Sequence, residues 1–144
     1  MERRRRNRKG FTLVELLVVI IILSLLAAFA APKAFKAMTK AKADLAKPRM
    51  ALIEDALERF SIHCGRYPDD SEGLMALLEC PPDLQDSGKW AGPYIKMSNL
   101  VDPWDNPFIY MASGSVNYGS YDLISLGSDG QPGGEGDAAD IYND

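Results

Sequence analysis

The chain is poor in the side chains that most often carry chemistry. Among 144 residues there is one histidine, His63, and only two cysteines, Cys64 and Cys80. Two isolated cysteines beside one histidine lack the ligand spacing of a zinc site, which argues against one. No nucleophile elbow, phosphate-binding loop, internal repeat or Ser/Gly linker occurs anywhere. No constellation of nucleophile, base and oxyanion donors can be assembled from what is left, so the expectation is a protein that is not an enzyme. Basic residues are also scarce beyond the start. Six of the sixteen lie in residues 1–10 against Glu2 alone, leaving ten basic and nineteen acidic residues for the rest.

What is abundant is apolar sequence in one place. From Phe11 to Ala31 the only charged residue is Glu15. At 1.5 Å per residue, ~20 apolar residues cross a bilayer core of ~30 Å. A basic end before such a run, followed by an acidic body, suits a membrane protein with its N-terminus in the cytoplasm. The arginines could also be read as a nucleic-acid-binding arm, but the apolar run begins directly after them, and no nucleic-acid partner is expected. Ala28-Phe29-Ala30 formally resembles a secretory cleavage site, although the run is long for a cleaved signal. Glu15 separates the readings. A carboxylate in an apolar span costs energy, and neither a plain anchor nor a plain signal gains from it. An ionisable residue there is a functional hypothesis that needs a partner. The candidate partner is a positive charge at the start of a neighbouring copy's helix.

Lys9-Gly10-Phe11-Thr12-Leu13-Val14-Glu15-Leu16-Leu17 resembles the class III signal of type IV pilins and pseudopilins. The resemblance implies cleavage between Gly10 and Phe11 by a prepilin peptidase, N-methylation of Phe11, and Glu15 as the acidic position that orients subunits during assembly.

Beyond the span, Pro32 to Ala46 is rich in alanine and lysine (Lys33, Lys36, Lys40, Lys42) and continues as helix, with Pro32 a kink or a local unwinding. Pro48 is a second interruption or a first helical residue. Met50, Ile53, Leu57 and Phe60 then step by 3, 4 and 3, one apolar stripe suited to packing on a sheet, and Gly65 ends the helix. Asp69 and Glu72 have capping-box spacing ahead of a short helix over 71–79 that Pro81-Pro82 stops. Tyr94 to Met97, Phe108 to Met111 and Tyr121 to Leu126 read as strands, with residues 112–120 as a hairpin loop. Cys64 and Cys80 bracket the helix-turn unit. Outside the cytoplasmic membrane they could form a disulfide worth ~3 kcal/mol, or remain two buried thiols. Thus residues 1–10 are a leader, 11–31 the transmembrane half of a spine helix, 32–64 its amphipathic half, and 65–144 a periplasmic globular region.

The tail from Gly127 to Asp144 combines glycines with Asp129, Glu135, Asp137 and Asp140. It is not an EF-hand. Its oxygens suit Ca²⁺, which takes ~6–8 oxygen ligands in flexible geometry; a disordered acidic tail is the alternative. Asp102-Pro103-Trp104-x-Asn106-Pro107, Tyr121-Asp122-Leu123, Ser125-Leu126-Gly127-x-Asp129-Gly130, Gly133-Gly134-Glu135-Gly136 and Ala139-Asp140-Ile141 resemble the major pseudopilin family of type II secretion systems. With Gly65-Arg66-Tyr67-Pro68 and the N-terminal signal, the match covers nearly the whole chain. The resemblance implies an α+β pilin-like fold: a long N-terminal transmembrane and spine helix packed on a small antiparallel sheet, with a calcium-binding C-terminal loop. It implies Ca²⁺ held by Asp129 and Asp140, the carbonyls of Leu126 and Ser128, and an acidic residue near Asp137. Asp105 replaces the glycine common after the tryptophan, Ala138 stands where Asn or Asp is usual, and the two cysteines are not typical.

The expected function is that of a structural subunit of the bacterial inner membrane. It would be cut by prepilin peptidase and polymerised as a helical homopolymer on an inner-membrane assembly platform with minor pseudopilins, driving folded proteins across the outer membrane. The alternatives are a type IV or competence pilin subunit and a membrane-anchored calcium-dependent binding module.

Overall fold

The computed structural model describes residues 10–143, apart from the side chain of Asp137; the first nine residues of the basic leader lie outside. The chain divides into two compact units, one up to Met38 and one from Thr39. One helix, α1, runs Leu13–Cys64. Neither Pro32 nor Pro48 ends it.

In the first unit no described residue covers α1. Its most apolar stretch has a mean hydropathy of 2.9 and none of it is buried within the protein, as expected of a helix whose solvent is lipid. In the second unit α1 turns Ala46, Met50, Ile53, Ala56, Leu57, Phe60 and Cys64 into the core. This is the stripe read from the 3-4-3 spacing, extended by a turn at each end. Gly65 stops the helix at φ 79°, a left-handed conformation that costs glycine nothing, and its N–H closes on the Ser61 carbonyl at 2.8 Å.

Three short strands form an antiparallel sheet in the order β1 (Ile109–Met111), β2 (Asp122–Ser125), β3 (Ile141–Tyr142). Met111 pairs with Asp122, so residues 112–121 close the hairpin, one residue longer than the expected loop. β2 is buried along its whole length because β1 and β3 flank it and α1 belongs to the same core. β3 pairs Ile141 with Ser125 and Tyr142 with Ile124, folding the acidic tail back on the sheet.

The expected strand at 94–97 does not form. Tyr94 N–H bonds the Leu77 carbonyl, and Met97–Asn99 winds into a 3₁₀ turn. The expected helix over 71–79 is a 3₁₀ turn, Gly73–Leu77. The capping box is present: Asp69 Oδ1 accepts the Glu72 N–H and Glu72 Oε2 accepts the Asp69 N–H, both at 2.9 Å. Leu74 and Leu77, both buried, stand three apart, which matches a three-residue turn. Cys64 and Cys80 are free thiols, so the bridge considered for them is not formed. Cys64 packs in the core and burial pushes its thiol above the usual range, while Cys80 Sγ lies against the Pro81 carbonyl at 3.6 Å.

Candidate assembly and cation sites

Two regions hold the residues singled out by the sequence. At the start of α1, Glu15 Oε2 accepts the Thr12 N–H at 3.0 Å and the Thr12 hydroxyl at 3.1 Å, and Thr12 Oγ1 accepts the Glu15 N–H at 3.2 Å. This is a capping box. It satisfies orphan donors of the helix end, and a carboxylate there also complements the helix dipole. The sequence carries this signal as Thr-x-x-Glu before an apolar run. Gly10 and Phe11, the positions expected for cleavage and methylation, are exposed immediately before this cap.

The second region is the C-terminal loop. Its entry is anchored from below by the Asp102–Asn106 turn. Asp102 is fully buried. Its Oδ1 accepts the Trp104 and Asn106 N–H groups, each at 2.9 Å, and its Oδ2 accepts the Ser125 hydroxyl at 2.7 Å. Arg49 from α1 donates to the carbonyls of Val101 at 3.0 Å and Asp102 at 2.9 Å. Asn106 Nδ2 reaches the Gly127 carbonyl at 3.2 Å. Asp105, in the place of the family's glycine, takes φ 70°. Short polar side chains tolerate that region better than most, so the departure keeps the turn.

The legs of the loop meet at Gly127. A Cβ there would lie 2.8 Å from the Ala139 carbonyl oxygen, so only glycine allows the approach. Asp140 exchanges bonds with Gly133: its Oδ2 accepts the Gly133 N–H at 2.9 Å and its own N–H donates to the Gly133 carbonyl at 3.2 Å. Asp140 Oδ1 is buried and, among the described residues, is the one buried side-chain oxygen or nitrogen with no hydrogen-bond partner. Such an atom is costly unless something else satisfies it. Asp129 is exposed, with Oδ1 accepting the Gln131 N–H at 3.1 Å; Ser128 is exposed and Leu126 half-buried. No three His, Cys, Asp or Glu side chains among the described residues are grouped closely enough to hold a metal alone. A cation would need backbone carbonyls as well. Oxygen donors of this kind are the ones a hard cation takes, and the orphaned Asp140 oxygen is the one observation here that bears on such an ion.

Sequence reading missed a third cluster. Asp122, fully buried, accepts the N–H groups of Ser115, Val116 and Asn117 and the Ser115 hydroxyl, at 2.6 to 3.1 Å. Asn143 clamps the far side: its Oδ1 accepts the Leu123 N–H at 2.8 Å and Asn117 Nδ2 at 3.0 Å.

A sequence profile described as "Type II secretion system (T2SS), protein G" matches residues 33–144, and one described as "Prokaryotic N-terminal methylation motif" matches residues 5–31. The chain belongs to the type II secretion protein G family. The "Type II secretion system core protein G" of Pseudomonas aeruginosa is 38% identical over 139 residues, covering 96% of each chain. That of Vibrio cholerae is 37% identical, covering 98% of this chain and 94% of the relative. The crystal structure of the major pseudopilin of enterohaemorrhagic Escherichia coli superposes with a TM-score of 0.61 at 26% identity, covering 76% of this chain and 91% of that one. This protein G family member is a structural pseudopilin subunit and not an enzyme. Its apolar N-terminal helix anchors it in the inner membrane, with its globular part in the periplasm.

Proposed function

We propose that the chain is cut between Gly10 and Phe11 by prepilin peptidase, methylated at Phe11, and polymerised on the inner-membrane assembly platform, with minor pseudopilins, into a helical filament. Filament growth would drive folded proteins across the outer membrane. The observation that carries this reading is the single carboxylate of the apolar span, Glu15, within the region matched by the methylation motif. In the isolated subunit that carboxylate caps its own helix. In a filament the free ammonium of a neighbour's Phe11 would meet it, offsetting the burial cost of both charges.

The cap and the intersubunit contact can be separated. Glu15→Gln keeps a side chain that serves in capping boxes but removes the charge; Glu15→Ala removes both. Both variants should insert and fold. Both should lose filaments and secretion, read by electron microscopy and by exoprotein in the medium. Filaments from Glu15→Gln at wild-type level would sink the charge-pairing role. An intact mass lacking residues 1–10 and carrying one extra methyl group tests the processing.

We further propose that Ca²⁺ binds the C-terminal loop, held by the carboxylates of Asp129 and Asp140 and the carbonyls of Leu126 and Ser128, with Asp137 near. The ion would supply charge compensation for a loop dense in carboxylates. The buried, unpartnered Oδ1 of Asp140 and the fold of the tail against β2 support this.

A further inference from the structure

We propose that the buried Asp102–Ser125 pair is the positioning device of the C-terminal cation loop, acting through the peptide that joins Leu126 to Gly127. The proposal rests on the reading of that loop as a Ca²⁺ site.

The chain of contacts is short. Asp102 and Ser125 are both fully buried. The Ser125 hydroxyl gives its proton to Asp102 Oδ2 at 2.7 Å. Its oxygen is thereby left as an acceptor, and the Gly127 N–H lies on it at 3.4 Å, a long bond but one sheltered from water. A trans peptide is planar, and its N–H and C=O point in opposite directions. The N–H of Gly127 and the carbonyl of Leu126 belong to one such plane. Holding that N–H on Ser125 therefore aims the Leu126 carbonyl away from Ser125 and from the core beneath it. The next peptide is fixed separately, since the Gly127 carbonyl is taken by Asn106.

The charge of Asp102 has a role here that an amide would not fill. All three of its partners, the Trp104 and Asn106 N–H groups and the Ser125 hydroxyl, donate to it. An ionised carboxylate is acceptor-only, so it forces the Ser125 proton to point its way. Asparagine would present an NH₂ on one side and free the serine hydroxyl to turn. Arg49 holds the same turn to α1 through the carbonyls of Val101 and Asp102, so the device is seated on the core. Asp102 and Ser125 are thus positioning residues, separated from any ion by at least one peptide.

The test uses the full mature chain in detergent, titrated with CaCl₂ at fixed ionic strength. The readouts are the calcium concentration at half-saturation and amide exchange at Gly127 in chelated protein. Losing a residue that orients a ligand weakens metal binding by about ten- to a hundred-fold. Ser125→Ala should raise the half-saturating concentration by about that factor and speed exchange at Gly127 without metal, and Ser125→Thr should restore both. Asp102→Asn, which keeps the shape and lets the serine hydroxyl turn, is the second variant should Ser125→Ala fail to fold, and it too should raise half-saturation. Wild-type half-saturation in folded Ser125→Ala, or in Asp102→Asn where only that variant folds, overturns the proposal. So does a melting temperature lowered equally with and without calcium at unchanged half-saturation. A wild-type chain indifferent to calcium removes the loop reading itself and the proposal with it.

Discussion

Asp122 shows how a single carboxylate can organise a loop. Burial alone would raise its pKa, but the backbone donors of Val116, Asn117 and Ser115 outweigh burial and hold the carboxyl below its usual range. A folded-state pKa below the unfolded value gives stability that is present above the unfolded pKa and lost as pH falls through the folded one. Asp122→Ala should therefore cost on the order of 2 kcal/mol at neutral pH, because buried amides lose their acceptor, and should flatten the acid limb of a melting-temperature profile. At the alkaline end the sign reverses. Burial pushes the Tyr121 phenol up to about 12 and raises that of Tyr110 as well. Stability should hold up to the ordinary tyrosine pKa of ~10 and fall as pH rises beyond it, an effect that Tyr121→Phe should reduce. In the C-terminal loop, chelation should lower the melting temperature of the wild type, and Asp129→Ala should abolish that response in a thermal-shift assay. None of the roles of Asp102, Asp122 or Asn143 was legible in the sequence. Asp102 meets Ser125 across 23 positions and Asn143 meets Leu123 across 20, and no local pattern announces such pairs.

At the level of elements, periodicity carried most of the information. The helical stripe and the hairpin were readable because side-chain spacing sets which face is buried. The two-residue β3 was not, since it is too short to show alternation and exists only by pairing with β2. Tyr94 to Met97 resembles a strand by composition, but among the described residues no neighbour offers it a ladder. α1 gives a sharp contrast for test. Leu57 is fully buried, whereas Leu52, five positions earlier, is half exposed. Leu57→Ala should destabilise the subunit by about 2–5 kcal/mol, and Leu52→Ala by no more than ~0.5 kcal/mol, measured by denaturant unfolding. A large loss from Leu52→Ala would mean that its exposed face is covered within the subunit. Arg66 ties three segments together: it bonds both Glu72 oxygens, at 2.6 and 2.7 Å, and Asp83 at 2.7 Å. Paired forks of this kind hold geometry better than single ion pairs, so the turn after α1 has a staple that does not depend on the cysteines.

For the molecule as a whole, identity rested on two distant stretches that agree. The opening motif speaks of processing and a membrane, while the turn at 102–107 and the tail distinguish one pilin-like family from its relatives. The profile matches divide along the same line, one covering residues 5–31 and the other residues 33–144. The sheet also sets a schedule. Its central strand, β2, needs β3 at Ile141–Tyr142, and Asn143 must bond Leu123 and Asn117 before the 112–121 loop is clamped. A chain that crosses the inner membrane from the start of its globular part toward Asn143 therefore cannot complete its sheet until those residues emerge. Pairing of β3 with β2 is thus the last step in assembling the sheet, and export of the tail is expected to precede it.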